Sequence, residues 1–155
     1  MEIVVGIGEY AISNKSDVIK TYALASCIAV TVYSPKSKSA GMAHIVLPSP
    51  GDTRMDMSRP CYYANIAVPF LIGEICKSFG CSKDELQISI FGGADSVRKE
   101  DVFKIGARNI KAVKSAINSL KLTCGISEVG GTNSRTIELD SETGRIKVVR
   151  QPLVL

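Results

Sequence analysis

The spacing of apolar residues predicts that the first half of the chain is rich in β-strands. Four of its segments carry apolar and β-branched residues at strand-like spacing: 2–7, 18–24, 28–33 and 40–47. The third of these, Ile-Ala-Val-Thr-Val-Tyr, presents β-branched residues in both directions, so we expect both of its faces to be buried. A polar turn at 34–39 joins it to the fourth, which ends at Pro48, and this order predicts a hairpin.

Helical spacing appears later in the chain. Segment 62–79 repeats apolar residues at helical intervals and is followed by Gly80, a residue suited to end a helix. Segment 109–120 is a second amphipathic helix, and its apolar stripe contains Ile110, Val113, Ile117 and Leu120. The Pro-, Gly- and Met-containing stretch at 49–60 has no period and is predicted to be a loop.

Further strands complete the predicted fold. Segment 86–91 alternates, which predicts a strand with one wetter face, and 122–129 is another strand. Segments 136–139 and 145–149 flank a turn in which Gly144 is expected to take a positive φ. We therefore expect one α+β domain over residues 1–155, with two main helices covering sheet faces.

Composition narrows the class of protein and its expected location. The chain has 155 residues, 45% hydrophobic and 22% charged, as in ordinary globular proteins. The longest apolar run is far shorter than the roughly 18 residues that span a bilayer, and the stretch from Met1 to Val5 shows no basic n-region or cleavage signal, so we do not expect secretion. The cysteines, five in number, suggest no disulfide framework. We therefore expect a cytoplasmic protein without membrane insertion.

Charge argues against nucleic acid as a partner. The net charge is +4, the basic residues are scattered, and aromatic residues make up only 6% of the chain. A nucleic-acid face usually needs clustered positive charge or aromatic side chains on which bases stack. A weakly positive surface also suits an acidic protein, and net charge alone does not choose between such partners.

Cys27 and the chain's only histidine, His44, are the residues best suited to catalysis. A free thiol titrates at roughly 8.5, so it needs a base to act as a nucleophile near neutral pH, and imidazole is the side chain best placed to be that base. The predicted hairpin brings the two close together. Ser26 and the small residues around Cys27 leave backbone N–H groups accessible for an oxyanion site. Thr21 is the candidate third member.

Each of these residues also has a purely structural interpretation. Cys27 can be an inert buried thiol, His44 a hydrogen-bonded histidine within a sheet, and Thr21 an ordinary strand residue. A metal site is the rival use of the same atoms, but the cysteines form no pair of C-x-x-C motifs and only one histidine is present, so we expect no metal and no cofactor.

The glycine groups fit no nucleotide-binding motif. Gly6 and Gly8 are interpreted as turn and packing glycines. Gly92 and Gly93 follow a predicted strand and are placed to line a cleft, where they are candidate oxyanion or substrate-binding residues together with Ser26. Asn109 is interpreted as a cap of the second helix.

Taken together in order, these motifs resemble the chemoreceptor glutamine deamidases of the CheD family. The resemblance spans nearly the whole chain and rests on these segments: Gly6-Ile7-Gly8-Glu9-Tyr10, Thr21, Leu24-Ala25-Ser26-Cys27, Gly41-Met42-Ala43-His44, Leu47-Pro48, Tyr63-Ala64-Asn65, Gly92-Gly93-Ala94, Ile105-Gly106-Ala107-Arg108-Asn109, Gly130-Gly131 with Arg135, and Thr143-Gly144. It departs at Ala25, where the family usually has glycine, and at 132–134, where the family often has small or basic residues.

The resemblance implies a cysteine hydrolase that converts receptor glutamines to glutamates and, in some members, hydrolyses receptor methyl esters. Cys27 matches the nucleophile, His44 the general base and Thr21 the third member. The implied fold is an α/β/β/α-type sandwich, two packed β-sheets flanked by helices, as in bacterial toxin deamidase domains. The implied partners are methyl-accepting chemoreceptors and a CheC-type phosphatase.

Two other interpretations remain open on the residues. The protein can act mainly as a binding module for a CheC-type phosphatase and receptors, with little catalysis, and Ala25 is one reason to consider it because its Cβ disfavours a positive φ. An activated Cys27 is expected to react with iodoacetamide well below pH 8, whereas a binding module is expected to react sluggishly. A cysteine hydrolase of another amide or ester is the third interpretation.

Overall fold

The computed structural model describes residues 1–51, 58–98 and 102–153, and within these ranges the chain forms strands, two α-helices and one short 3-10 helix at Lys83–Glu85. The elements, in chain order, are β1 (Glu2–Val4), β2 (Tyr10–Ser13), β3 (Val18–Leu24), β4 (Ile28–Ser34), β5 (Ser39–Ile45), α1 (Ala64–Phe79), β6 (Gln87–Gly92), α2 (Ile105–Ser119), β7 (Ile126–Val129), β8 (Asn133–Asp140) and β9 (Ile146–Pro152).

The strands form two mixed sheets. The five-stranded sheet has the order β2-β5-β4-β6-β7, antiparallel except for the parallel pair β6 and β7. The four-stranded sheet has the order β1-β3-β8-β9, antiparallel except for the parallel pair β1 and β3. The predicted hairpin is formed by β4 and β5, which pair along their whole length from Ile28↔Ile45 to Ser34↔Ser39.

Two cores hold these layers together. One face of the five-stranded sheet packs against both helices through apolar side chains such as Val30, Ile90 and Leu71. Its other face packs against the four-stranded sheet, where Ile19 and Ile137 meet Phe91. Burial of apolar surface on both faces explains why every residue of β4 is buried, as its pattern predicted.

The α+β class with two packed sheets is confirmed. In the part of the chain that the structure describes, both helices lie on the five-stranded sheet, so the layer order is α/β/β instead of the expected α/β/β/α. The outer face of the four-stranded sheet carries polar or exposed side chains such as Lys20, Tyr22 and Lys147. A face of this composition has no apolar stripe that a helix needs to cover.

Strand β1 ends at Val4 instead of 7, and β7 begins at Ile126 instead of 122. Three further elements differ from the sequence prediction. The short edge strand β2 was not predicted. Strand β6 is buried on both faces, including Ser89, because it lies inside its sheet between the helices and the other sheet. Helix α2 begins at Ile105 instead of 109, so Asn109 lies inside the helix and caps nothing.

Two other predictions concern the loop and the membrane. Residues 49–51 and 58–60 of the predicted loop belong to no helix or strand, and its remainder lies outside the described residues. Neither helix in the described ranges is long and apolar enough to cross a membrane. The positive φ expected for Gly144 in the turn between β8 and β9 is also confirmed, with a value of 75°.

Candidate active site

Thr21 and His44 meet between the two sheets. Thr21 lies on β3 of the four-stranded sheet and is fully buried, and His44 lies on β5 of the five-stranded sheet with only 5% of its surface exposed. The Thr21 hydroxyl oxygen is 2.7 Å from His44 Nδ1 and 2.8 Å from the backbone oxygen of Val5. The packing of one sheet on the other therefore positions the imidazole.

The hydroxyl also fixes the tautomer of the ring. Thr21 has one hydroxyl proton, and it must point to the Val5 carbonyl, since two oxygens 2.8 Å apart without a proton between them would repel each other. The hydroxyl then accepts a hydrogen bond from His44, so Nδ1 carries the ring proton. Nε2 is left unprotonated, which is the form that a general base needs.

Cys27 lies on the same side of the sheet as His44. In the β4–β5 ladder His44 is paired with Ala29, and Cys27 precedes Ala29 by two residues, so Cys27 and His44 are diagonal neighbours. Such neighbours are about 7–8 Å apart at the backbone. Among the described contacts the imidazole is hydrogen-bonded to Thr21, and none joins it to the Cys27 sulfur. Cys27 packs against the core between the sheets and is partly exposed, whereas His44 is buried.

Burial makes the resting pair neutral. It raises the pKa of the Cys27 thiol above its ordinary value and lowers the pKa of His44 to about 4. At neutral pH the site therefore holds a thiol and an uncharged imidazole. This is opposite to the expectation of a thiol activated well below pH 8 in the free protein.

Hydrogen bonds to the carbonyl oxygens of residues 25–27 hold the turn that carries Cys27. The backbone oxygen of Ala25 accepts from Ala94 N–H at 2.7 Å, that of Ser26 from Asn109 Nδ2 at 2.9 Å, and that of Cys27 from Gly93 N–H at 2.9 Å. No described residue accepts a hydrogen bond from the backbone N–H of Ser26 or Cys27. These two N–H groups are therefore available to a ligand at the sulfur.

The glycines predicted at the site pack directly behind this turn. Gly92 has a φ of 111°, and a Cβ built there would lie 2.2 Å from the Cys27 oxygen, so no side chain fits. The Gly93 N–H is already bonded to Cys27, so in this conformation it holds the turn and is not a free oxyanion donor. Ser26 contributes its backbone, since the described contacts of this residue involve only its carbonyl oxygen.

Ala25 fits its position without strain. It is not among the non-glycine residues with positive φ, so the alanine does not disturb the turn. The left-handed residue lies nearby at Ala23, with a φ of 52°, where the β3–β8 register shifts between Thr21 and Leu24. This bulge turns Leu24 back to the core and directs the chain toward Cys27.

Asn109 is the polar residue whose role the sequence prediction missed. It is fully buried on α2, and its side-chain NH₂ donates to the backbone oxygens of Ser26 at 2.9 Å and Val46 at 2.8 Å. It thereby connects the ends of β4 and β5 beside the site. The signal was present in its spacing, because Asn109, Val113 and Ile117 lie four residues apart on the buried side of the helix.

Arg135 stabilises the same region from the other sheet. Its guanidinium donates to the backbone oxygens of Gly92 at 3.2 Å and Gly130 at 2.7 Å, and to Glu128 at 2.8 Å. Arg135 is 5% exposed and occupies an inward position of β8, alternating with the buried Ile137. A charged residue at an inward strand position was the signal for this contact.

Within the described residues, no group of three His, Cys, Asp or Glu side chains is arranged to hold a metal ion. The remaining cysteines are separate from the site. Burial raises the pKa of Cys61 to about 12, and burial together with the neighbouring Cys81 raises the pKa of Cys76 to about 11.

The sequence is similar to known chemotaxis proteins. The family model described as CheD chemotactic sensory transduction matches residues 46–150. The probable chemoreceptor glutamine deamidase CheD of Syntrophotalea carbinolica is 40% identical over 151 residues, covering 95% of this chain and 93% of that protein. The chemoreceptor glutamine deamidase CheD of Thermotoga maritima is 36% identical over 148 residues, covering 96% and 91%. The probable chemoreceptor glutamine deamidase CheD of Pyrococcus abyssi is 35% identical over 149 residues, covering 95% and 90%.

Proposed function

The chain belongs to the CheD family, and on this premise we propose that it hydrolyses the side-chain amide of selected glutamines in chemoreceptors, with Cys27, His44 and Thr21 as the reacting group. The observation that carries the proposal is the 2.7 Å contact between Thr21 and His44, which leaves Nε2 of His44 unprotonated on the side of the sheet where Cys27 lies.

The reaction begins with the attack of sulfur on the glutamine side-chain carbonyl carbon. His44 Nε2 takes the Cys27 proton as the carbon–sulfur bond forms, and the carbonyl oxygen becomes an oxyanion. The N–H groups of Ser26 and Cys27, which donate to no described residue, are the donors for that oxyanion. A donor in this position stabilises the transition state by about 3–4 kcal/mol.

The tetrahedral intermediate then collapses to a thioester. The carbon–nitrogen bond breaks, and His44 returns its proton to the leaving group, which departs as ammonia. Water attacks the thioester carbonyl and gives a proton to the same imidazole. The carbon–sulfur bond breaks, the imidazolium returns the proton to the sulfur, and the receptor side chain leaves as glutamate with the thiol restored.

The neutral resting pair determines how the proton moves. Because burial disfavours both thiolate and imidazolium, proton transfer accompanies attack on a bound substrate instead of preceding it. Thr21 supplies a neutral hydroxyl to the imidazolium that forms, which stabilises the positive charge less than a carboxylate would. We therefore expect a slow enzyme.

The site suits a protein substrate. Cys27 is partly exposed, so a side chain that projects from a receptor can reach the sulfur without a deep cavity. We expect the reaction to take place in the cytoplasm, and a CheC-type phosphatase to be a second partner. A partner loop with a carboxamide at its tip would enter the same place as the substrate.

The test is ammonia release from a receptor fragment. The unaltered protein is expected to release ammonia, and Cys27→Ala and His44→Ala are expected to release none above background. Cys124→Ala is the matched control, because Cys124 is a partly exposed thiol away from the turn whose sulfur contacts the Ile126 oxygen. Undiminished release by Cys27→Ala or by His44→Ala would refute the proposal.

The raised pKa of Cys27 gives some support to the second candidate function, a binding module with little catalysis. A binding module would retain receptor or phosphatase binding in Cys27→Ala and would release no ammonia even when unaltered. The same assay, run beside a binding measurement on both proteins, therefore separates the two functions.

A further inference from the structure

We infer that Asn109 is a positioning residue that orients the backbone N–H of Cys27 as an oxyanion donor. This inference rests on the proposed function and adds a residue to it. Asn109 does not touch the sulfur; it acts through the peptide group that joins Ser26 to Cys27.

The geometry of that peptide group carries the inference. The Ser26 carbonyl and the Cys27 N–H belong to one planar peptide unit, and in a trans unit they point in opposite directions. Asn109 Nδ2 holds the Ser26 oxygen at 2.9 Å, so the carbonyl points to α2. The Cys27 N–H consequently points away from α2, where no described residue accepts its hydrogen bond.

The neighbouring peptide unit is held in the same way. Ala94 N–H fixes the Ala25 oxygen at 2.7 Å, so the Ser26 N–H points away from the loop after β6. Helix α2 lies against this loop, since a Cβ on Gly106 would be 2.3 Å from the Ala94 oxygen. Both carbonyls therefore point to one side, and two successive N–H groups remain on the other, an arrangement that binds anions.

The side chain of Asn109 is suited to this role and to little else. Its second bond, to the Val46 oxygen at 2.8 Å, prevents it from rotating away from Ser26. Its Oδ1 has no partner among the described residues although it is buried, and a buried acceptor without a partner is unfavourable. An apolar residue would fill the position without that cost but would leave the Ser26 carbonyl free to turn.

Two reagents separate this role from a general structural one. With either reagent the thiol gives up its proton to a base as its sulfur forms the new bond. p-Nitrophenyl acetate acylates the thiol: the sulfur bonds to the carbonyl carbon, the carbonyl oxygen becomes negative in the transition state, and p-nitrophenolate leaves. Iodoacetamide alkylates the same sulfur at a saturated carbon, iodide leaves, and no oxyanion forms. An oriented Cys27 N–H therefore accelerates the first reaction and not the second.

The experiment compares both rates at Cys27 in the full chain, followed by intact mass and peptide mapping. Asn109→Ala is expected to lower the rate of acylation by about tenfold to a hundredfold, less than the hundredfold or greater loss for deleting a donor outright. The rate of alkylation is expected to stay unchanged. Asn118→Ala, an exposed asparagine on the same helix, is the matched control and should leave both rates unchanged.

Asn109→Ala leaves two carbonyls without a donor and is expected to be less stable. Labelling of Cys61, which is fully buried, measures the unfolded fraction, and both rates are referred to the folded fraction. Asn109→Ser, which retains one donor, serves as a second variant and is expected to show a smaller loss of acylation.

Equal losses in both reactions, unchanged acylation in both variants, or no acylation of the unaltered protein at Cys27 would overturn the inference. A failure of the proposed function gives a different result. In that case the unaltered protein releases no ammonia from a receptor fragment, while the two rates at Cys27 still report on Asn109.

Discussion

Replacing Thr21 with valine removes one hydroxyl and keeps the shape of the side chain. The hydroxyl lies between the Val5 oxygen at 2.8 Å and His44 Nδ1 at 2.7 Å, and all of Thr21 is buried. Thr21→Val therefore leaves an acceptor and a donor without partners, releases the tautomer of the ring, and keeps the packing between the sheets.

The size of the effect follows from the charge on the ring. During the reaction His44 becomes imidazolium, and a hydrogen bond to a charged group contributes about 1.5–3 kcal/mol. At about 1.4 kcal/mol for each factor of ten, kcat is expected to fall roughly tenfold to 150-fold. KM should change little, because Thr21 is fully buried and does not reach the substrate.

The assay is ammonia release from a receptor fragment at several substrate concentrations. Thr21→Ser keeps the hydroxyl and is expected to recover most of kcat. Thr31→Val is the matched control, because Thr31 is a buried threonine on β4 whose only described side-chain bond, 3.4 Å long, goes to the Ser89 oxygen. Equal losses in Thr21→Ser and Thr21→Val, or a normal kcat in Thr21→Val, would refute the positioning role.

Two further predictions concern stability. The pKa of His44 is about 4 in the folded protein and about 6.5 in the unfolded chain. As the pH falls from 6.5 through 4, the unfolded chain therefore takes up the proton first. The free energy of unfolding falls by about 3 kcal/mol because of this group. Urea unfolding near pH 7 and near pH 4 is expected to show that His44→Asn, which keeps an N–H for Thr21, loses less unfolding free energy between the two pH values than the unaltered protein. An equal loss in both proteins would contradict this prediction. Gly92→Ala places a Cβ 2.2 Å from the Cys27 oxygen at a φ of 111° and is expected to lower both the melting temperature and activity. Gly73 is exposed in α1, and a Cβ there would meet nothing within 4 Å, so Gly73→Ala is expected to stabilise the protein by about 0.5–1 kcal/mol. Similar melting temperatures for the two glycine variants would show that the close approach is not needed.

The sequence predicted the elements whose apolar pattern is continuous. Strands β4 and β5 and the end of α1 at Gly80 lie where the pattern placed them, because each buries a regular face and has a strong terminator. The start of α2 was missed, because Gly106 is typical of loops. In the structure Gly106 lies in the first turn of the helix. The position needs a glycine because a side chain there would clash with the Ala94 oxygen.

The sequence predicted Cys27, His44 and Thr21 as the candidate site, and the structure brings Thr21 and His44 into contact, but the residues that support the site were not predicted. The uniqueness of His44 and the small residues around Cys27 indicated a reacting pair. The contacts of Asn109 and Arg135 depend on how the helix and the two sheets pack, which local spacing does not encode. The direction of the pKa of Cys27 was also missed, because it depends on burial at the boundary between the sheets.

Mass spectrometry of a chemoreceptor co-expressed with this protein tests the central claim most directly. Selected glutamines are expected to gain the mass of an amide-to-acid conversion with the unaltered protein and to remain glutamine with Cys27→Ala. The same conversion in the presence of Cys27→Ala, or unmodified glutamines with the unaltered protein, would contradict the assignment of Cys27 as the nucleophile of a receptor deamidase.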